Sequence, residues 1–271
     1  MGLLSRFSQG SSGELALLSN VELQRYSRHI LLRDVGGPGQ NKLKAARVLC
    51  VGAGGLGSPV IEYLAAAGVG TLGLVDDDTV SLSNLQRQVV HSTANVGKLK
   101  VESARERVAA INPHVNVELH PLRLNAQNVG ELVKAYDIVV DGTDNFPTRF
   151  LVADTAYACC KPLVTAGVLE FYGSLTTLLP YETDAGGQLN PSWRCLMPRE
   201  PETAALTCSE VGILGSVVGV LGTLAACEVL KLITAVGQPL IGRLLMVDIR
   251  DMGFDIVDYY RNPASPTFRQ T

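Results

Sequence analysis

A glycine-rich loop between an apolar run and a helical run constrains the fold of this chain more than any other feature. The run "RVLCV" is typical of a buried strand, "GAGGLG" follows it, and "SPVIEYLAAAG" has helical spacing. Glycines permit a tight turn and a close approach of the backbone to a ligand, and the start of the next helix attracts phosphate. The pattern predicts a nucleotide-binding loop formed by Gly52, Gly54, Gly55 and Gly57.

Short apolar runs continue to alternate with helical runs as far as Gly167. Strands are predicted at "TLGLV", "VNVELH", "DIVVD" and "KPLVTAG", with helices at "KLKVESARERVAAIN" and "AQNVGELVKA". This alternation predicts a Rossmann-like, doubly wound, mainly parallel sheet in an α/β protein. Beyond Gly167, "LEFYGSLTTLLP" and "RLLMVDIRDMGFDIVDYY" alternate apolar and polar residues, which predicts antiparallel strands that extend the sheet.

The same patterns predict a single domain with two halves. A Ser- and Gly-rich N-terminal segment is expected to be a flexible leader. A segment rich in Gly, Pro and charge is expected to be a mobile crossover loop. The predicted boundaries are 1–20 for the leader, 21–271 for the domain, 21–167 for its nucleotide-binding half, 168–271 for its antiparallel extension, about 180–207 for the loop and about 210–235 for an interface helix.

Composition argues against several classes of protein. A formal net charge of -3 disfavours binding to the phosphate backbone of nucleic acids. The six cysteines have no regular spacing, which disfavours a disulfide framework, and no secretory signal is recognised, so a cytoplasmic location is expected. The uncharged stretch Val211–Cys227 is shorter than the roughly 18–20 apolar residues that a membrane span needs.

Polar residues after the second predicted strand indicate the ligand. Asp76 lies 19 residues beyond Gly57, close to the spacing at which an acid binds a ribose hydroxyl. This fits a nicotinamide dehydrogenase as well as an enzyme that uses a nucleoside triphosphate. The cations that follow favour the triphosphate, whose charge must be neutralised before a nucleophile can approach. These polar residues are Asn84, Arg87, Lys98 and Lys100.

The segment "DGTDN" follows the fourth predicted strand. The carboxyl ends of parallel strands form the edge at which open α/β sheets bind ligands. Asp144 offers carboxylate oxygens to Mg²⁺, and it is equally suited to cap the helix "FPTRFLVADTAYA". The two roles are compatible.

With these motifs in order, the chain resembles the MoeB/ThiF/HesA family, relatives of the ubiquitin-activating enzymes. The resemblance rests on "VGAGGLGSPV", "VDDDTVSLSNLQRQVVHS", "VGKLKVESARERVAAINP", "DGTDN" and "TCSEVGILGSVVGVLGTLAACEVLKLI". It implies an ATP-dependent adenylyltransferase that activates the C-terminal Gly-Gly carboxylate of a ubiquitin-like sulfur carrier, for molybdopterin or thiamine biosynthesis. It also implies a homodimer and, as a further partner, a sulfurtransferase or cysteine desulfurase. Neither nucleic acid nor a membrane is expected as a partner.

The resemblance assigns a role to each matching residue. The four loop glycines approach ATP, and Asp76 binds the ribose. Arg28 in "RYSRH" reaches into the site of the partner subunit. Cys208 in "LTCSE" matches a thiol that forms a covalent link to the carrier in part of the family, although a small buried apolar role is left open. The phosphate-binding residues are Asn84, Arg87 and Lys100, with Asp144 for magnesium; Lys98 lies outside the matching lysine position.

The chain departs from the family at its structural zinc site. The family commonly has two CxxC pairs whose four thiolates bind zinc in a tetrahedron. Here the four matching positions are Ser192, Cys195, Ser265 and Phe268. One thiolate of four remains, and no zinc is expected.

Two alternative functions stay open at this stage. A nicotinamide-dependent oxidoreductase would need a catalytic acid near the sheet edge, but the four histidines of the sequence have no obvious constellation. A non-catalytic nucleotide- or protein-binding relative is suggested by the missing zinc ligands. The presence of Arg28, Arg87, Lys100 and Asp144 together favours the enzyme.

Overall fold

The computed structural model describes residues 18–201 and 212–268. Within these ranges the strands are β1 Arg47–Val51, β2 Thr71–Val75, β3 Asn116–His120, β4 Ile138–Asp141, β5 Leu163–Leu169, β6 Tyr172–Leu178, β7 Arg243–Asp248 and β8 Gly253–Asp258. The helices are α1 Asn20–Arg25, α2 Ser27–Ile30, α3 Gly36–Ala45, α4 Gly57–Ala67, α5 Lys100–Ile111, α6 Val129–Lys134, α7 Phe146–Ala158, α8 Trp193–Leu196 and α9 Gly215–Thr234. Short 3-10 turns span Leu82–Asn84 and Thr93–Asn95.

All eight strands form one sheet in the order β3-β2-β1-β4-β5-β6-β7-β8. The five strands from β3 to β5 are parallel. The chain leaves β1 toward β2 on one side and later returns to β4 on the other, so the loops after β1 and β4 lie side by side at the carboxyl edge. This is the switch point at which doubly wound sheets bind ligands, and the predicted parallel sheet is confirmed.

The remaining strands are antiparallel. β5 and β6 form a hairpin around Glu170, β7 pairs with β6, and β8 pairs with β7 at the edge of the sheet. The alternating sequence beyond Gly167 therefore predicted the strand type correctly, because strands with one solvent-facing surface alternate in polarity.

Helix α9 packs across the middle of the molecule. Its buried residues contact α4, β5 and β6, and glycines allow this close approach. A Cβ on Gly222 would lie 2.3 Å from Pro59 Cγ, and a Cβ on Gly173 would lie 2.4 Å from Leu221 Cδ2. The helix is 20 residues long and contains a window with a mean hydropathy of 1.8, so by length and composition alone it could span a membrane. The uncharged stretch Val211–Cys227, from which the sequence was judged, is shorter than a span. The helix is however 61% buried inside the protein, as expected of a core helix.

The structure describes only part of the predicted terminal and loop segments. Residues 1–17 of the leader, residues 202–207 of the crossover loop and Cys208 lie outside the described residues. The described part of the crossover loop contains α8 and a bridge between Thr183 and Leu189. Its mobility stays a prediction, whereas the predicted helix at 210–235 corresponds to α9.

Candidate active site

The glycine loop closes tightly between β1 and α4. Gly52 has a φ of 93°, in the left-handed region that favours glycine. A Cβ on Gly57 would lie 2.0 Å from the carbonyl oxygen of Gly52, so only a hydrogen atom fits there. α4 begins at Gly57 without a side-chain cap, which makes its N-terminus a suitable partner for phosphate.

The other two glycines of the loop face protein groups. A Cβ on Gly55 would lie 2.7 Å from Cγ1 of Val218 in α9 and 3.7 Å from Cγ of Arg87. The absence of a side chain at Gly55 is therefore explained by packing. A Cβ on Gly54 would lie 3.6 Å from Nε2 of Gln88, an ordinary contact. The approach of all four glycines to ATP stays a prediction.

Asp76 lies at the end of β2, directly beside the glycine loop. Its Oδ2 accepts a hydrogen bond of 2.9 Å from the Ala53 N–H, and its Oδ1 accepts one of 2.9 Å from the Asp78 N–H. Lys100 Nζ lies 4.0 Å from Asp76 Oδ1 and 2.8 Å from Asp78 Oδ2. Burial raises the pKa of Asp76, while Lys100 and the two N–H groups act in the opposite direction. These contacts hold the Asp76 carboxylate beside the glycine loop, and its binding of a ribose stays a prediction.

Asn84 and Arg87 belong to a compact turn that begins at Ser81. The Asn84 side-chain oxygen accepts a hydrogen bond of 3.1 Å from the Ser81 N–H. Arg87 Nη1 donates to the Ser83 carbonyl at 3.3 Å, and its aliphatic part lies beside Gly55. Both side chains are half-buried. The structure therefore places Arg87 beside the glycine loop and Asn84 in the same turn. Their contact with the phosphates stays a prediction.

Asp144 lies in the loop that follows β4, and its side chain is exposed. The helix cap is formed by Asn145, whose Oδ1 accepts a hydrogen bond of 3.0 Å from the Thr148 N–H. The expectation that Asp144 caps α7 is therefore wrong, because α7 begins at Phe146 and the residue directly before it is Asn145. Within the described ranges, the Asp144 carboxylate makes no hydrogen bond or ion pair, and it remains available to a ligand.

Three further sequence candidates differ in how far the structure describes them. Arg28 lies on α2 with an exposed side chain that makes no polar contact within residues 18–201 and 212–268. Its role across a dimer interface stays a prediction. Lys98 forms an exposed ion pair of 2.9 Å with Glu106, whereas Lys100 contacts Asp76 and Asp78. Cys208 is outside the described residues.

The histidines do not form a catalytic group. His91 is buried and donates from Nε2 to the Ala53 carbonyl at 2.9 Å, while its Nδ1 lies 2.9 Å from Ser103 Oγ. Burial lowers the pKa of His91, so the ring is a neutral support for the glycine loop. His120 Nε2 lies 2.7 Å from Tyr136 Oη, and His29 Nδ1 lies 3.3 Å from Gln40 Oε1. These contacts give the oxidoreductase alternative no support.

Gln88 is a site residue that the sequence analysis missed. Its side chain is buried beside Gly54, and its Oε1 has no hydrogen-bond partner among the residues that the structure describes. A buried acceptor without a partner costs about 1–3 kcal/mol, so a ligand donor is favoured there. Only the burial of its side chain distinguishes Gln88 as a candidate.

Three of the four positions of the family's zinc site, Ser192, Cys195 and Ser265, lie together, but only one of them is a thiol. Ser192 Oγ lies 3.5 Å from Cys195 Sγ and 3.4 Å from Ser265 Oγ. Burial alone would raise the pKa of Cys195, but hydrogen bonds from Ser192, Asn262 and Ser265 lower it. Phe268 instead packs edge-on against Tyr157, with ring centroids 5.9 Å apart. One thiol and two hydroxyls do not make a tetrathiolate site.

The residues at the carboxyl edge fit ATP and Mg²⁺. A helix N-terminus, cationic side chains and a ribose-facing acid match the parts of a nucleotide. Carboxylate oxygen is the ligand type that Mg²⁺ prefers. Among the described residues, the metal-ligating side chains that form a group of three are Asp76, Asp77 and Asp78, and Lys100 already contacts two of them.

Comparisons with known proteins agree with this geometry. The chain is 45% identical over 250 residues to "Probable adenylyltransferase/sulfurtransferase MoeZ" of Mycobacterium tuberculosis, covering 92% of this chain and 63% of that protein. It is 44% identical over 246 residues to "Sulfur carrier protein adenylyltransferase" of Thermus thermophilus, covering 90% of each. The solved structure of E. coli MccB with ATP has a TM-score of 0.76 and 25% identity over 90% of this chain and 74% of that chain.

The fold and the edge residues define a nucleotide-binding α/β protein. The ThiF family model matches residues 26–267. The chain belongs to the ThiF family, which confirms the family predicted from its motifs.

Proposed function

We propose that this protein is an ATP-dependent adenylyltransferase that activates the C-terminal Gly-Gly carboxylate of a ubiquitin-like sulfur carrier. One observation carries the proposal: the glycine loop, the pair formed by Asp76 and Lys100, and the exposed carboxylate of Asp144 meet at one edge of the sheet. The names of relatives at 44% and 45% identity support it. We further propose a sulfurtransferase or cysteine desulfurase as a partner in the sulfur transfer that follows. The chain spans 63% of the length of the mycobacterial relative.

The proposed reaction needs positioning and charge neutralisation more than proton transfer. An oxygen of the carrier's carboxylate bonds to the α-phosphorus, and the bond from that phosphorus to the β-phosphate oxygen breaks, with its electron pair leaving on pyrophosphate. The carboxylate is ionised at neutral pH, so a general base is not required. Arg87 and Lys100 would offset the phosphate charge, and Asn84 would donate its amide. Asp76 would fix the ribose.

Mg²⁺ is assigned to Asp144. When bound, Mg²⁺ neutralises phosphate charge and orients the phosphate oxygens. The exposed carboxylate follows β4, next to the loop that contains Gly57. This adjacency supports the assignment, since Gly142 lies against the backbone of Gly57.

The proposal includes a homodimer in the cytoplasm. Arg28 is exposed on α2, which suits a residue that contacts a second copy. The carrier serves molybdopterin or thiamine biosynthesis, and its choice depends on the surface that docks the carrier's folded part.

ATP–pyrophosphate exchange with purified carriers ending in Gly-Gly tests the proposal. The wild-type chain should exchange label with at least one carrier. Asp144→Ala and Arg87→Ala should each lower exchange by roughly 100-fold or more, because the first removes the proposed Mg²⁺ ligand and the second removes a cation at the phosphates. Asp251→Ala and Arg105→Ala are matched controls, since both side chains are exposed and outside the site.

The outcomes separate the proposal from its alternative. If Asp144→Ala and Arg87→Ala keep wild-type exchange rates, the assigned roles are wrong. If the wild-type chain binds ATP but exchanges no label with any carrier, the non-catalytic binding relative is favoured.

A further inference from the structure

Arg149 is a half-buried arginine that sequence reasoning did not select. It lies in the second turn of α7, and its guanidinium reaches back to the loop that carries Asp144. Its Nη2 donates to the carbonyls of Thr143 and Ala166, both at 2.7 Å. Its Nε lies 3.2 Å from Oδ2 of Asp141. One side chain therefore joins the end of β4, the loop after it and β5.

The carboxylate of Asp141 is the ionic partner of Arg149. Asp141 is fully buried and also accepts hydrogen bonds from the Thr143 N–H at 3.0 Å, from Thr143 Oγ1 at 2.6 Å and from Thr165 Oγ1 at 2.9 Å. A buried charge needs an opposite charge and hydrogen bonds. Arg149 supplies the charge, and its flat fork reaches the carboxylate and two carbonyls at once.

The surroundings leave room for the guanidinium. A Cβ on Gly167 would lie 3.1 Å from Arg149 Nη1, so glycine on β5 makes space for it. The guanidinium carbon lies 5.6 Å from the ring centroid of Trp193 in α8. Arg149 thus also contacts the described part of the crossover loop.

No residue that the structure describes makes a hydrogen bond or an ion pair with the Asp144 side chain. Its position depends on the backbone between Asp141 and Asn145, and Arg149 contacts that backbone at Thr143. We propose that Arg149 is a positioning residue that orients the Asp144 loop toward the nucleotide. The expected effect of Arg149 on catalysis rests on the proposed function, but its effect on the Asp144 loop does not depend on that function.

The test compares Arg149→Lys with Arg194→Lys. Lysine keeps the charge but cannot span one carboxylate and two carbonyls. Arg194 is the matched control, because it forms an ion pair of 2.7 Å with Asp154 and contacts no residue of the Asp144 loop. In the exchange assay, Arg149→Lys should lower kcat about 10- to 100-fold, the scale of a misplacement near 1 Å. The Mg²⁺ concentration for half-maximal rate should rise, while the KM for ATP stays within about 3-fold.

A charge-neutral double variant separates positioning from stability. Asp141→Asn with Arg149→Met removes both buried charges together, so its Tm should exceed that of Arg149→Met alone. Its exchange rate should nevertheless remain as low as that of Arg149→Lys. Exchange within 2-fold of wild type in both variants, with unchanged Mg²⁺ dependence, would overturn the proposal.

Amide hydrogen exchange tests the loop without the reaction. The Gly142 N–H donates to the Val51 carbonyl at 3.0 Å, and Arg149→Lys should speed exchange across residues 142–145 while β2 is unchanged. Unchanged protection of 142–145 would overturn the positioning role. If the wild-type chain shows no ATP–pyrophosphate exchange, the proposed function fails, and hydrogen exchange still decides the role of Arg149.

Discussion

At Gly57, the close approach of the backbone requires glycine, and the predicted phosphate loop requires it too. The sequence marked it as part of a phosphate loop, and the structure adds that a Cβ there would lie 2.0 Å from the Gly52 carbonyl oxygen. The neighbouring Gly55 matched the same motif, but its space is occupied by Val218 of α9. Glycines in one motif therefore have different physical reasons, which the spacing alone does not separate.

A glycine-to-alanine pair tests the loop. Gly57→Ala should lower the Tm by several degrees and weaken ATP binding at least 10-fold, because the loop must open to admit the methyl group. Gly130→Ala is the control, since Gly130 lies in α6 with no atom within 4 Å of an added Cβ. It should stabilise the chain by about 0.5–1 kcal/mol through helix propensity. Differential scanning calorimetry and ATP titration measure both effects, and equal behaviour of the two variants would contradict the close approach.

The cap of α7 and the burial of Gln88 could not be predicted from single residues of the sequence. The sequence identified Asp144 after β4 as both a Mg²⁺ ligand and a helix cap, but the structure gives the cap to Asn145. The Asp144 carboxylate is left exposed. Gln88 became a candidate only through its burial and its unpartnered oxygen, which are properties of packing.

Helix and strand placement followed from local signals where these were strong. The parallel strands were predicted from apolar runs between turns, and α5 ends before Pro113 as its sequence indicates. The register, which places Asp141 level with Val51 and Thr165, was not predictable. Register depends on contacts between strands that are distant in the chain.

The start of the described chain is fixed by a capping box. Ser19 and Glu22 satisfy each other's backbone N–H groups at the N-terminus of α1. Glu22 also accepts a hydrogen bond of 2.9 Å from Lys44 in α3. Burial alone would raise the pKa of Glu22, but these partners lower it from 4.5 to about 2. The charged form therefore ties α1 to α3.

This pair predicts a pH dependence of stability. Because the folded pKa lies below the unfolded value, the stabilisation is present above about pH 4.5 and is lost as the pH falls toward 2. Glu22→Gln should lower the free energy of unfolding by about 1–2 kcal/mol at pH 7, with the difference vanishing near pH 2. Urea unfolding at several pH values measures it, with the exposed Glu131→Gln as control. A difference that persists undiminished at pH 2 would refute the role of the carboxylate.

At the scale of the whole molecule, the C-terminal segment is anchored by weak contacts at the positions of a zinc site. Ser192, Cys195 and Ser265 form a hydrogen-bonded cluster. Phe268 packs against Tyr157, and the Arg194 guanidinium lies 6.0 Å from the Phe268 ring centroid. The segment is therefore attached by hydrogen bonds and aromatic packing where a tetrathiolate would bind metal.

Metal analysis tests this anchor. The wild-type chain should contain far less than one zinc per chain, and EDTA should leave its Tm unchanged. The combined variant Ser192→Cys, Ser265→Cys and Phe268→Cys restores four thiols and should bind about one zinc, because three of the four positions already lie together. About one zinc in the wild-type chain would refute the prediction. Absence of zinc from the four-thiol variant would show that the positions do not form a tetrahedron.

By itself, the sequence determined the strand–loop–helix order, the parallel and antiparallel parts of the sheet and the family, and it predicted a set of polar residues for the nucleotide. These follow from local periodicity, from glycine and proline conformation, and from spacing along the chain. Only the tertiary structure decided that Asn145 caps α7, that Gly55 faces α9, that Gln88 is buried at the loop and that Arg149 joins the Asp144 loop to β5. The contacts of Gly55, Gln88 and Arg149 depend on distances between segments far apart in sequence, which chain order does not encode directly, whereas the Asn145 cap depends on the local backbone at the start of α7.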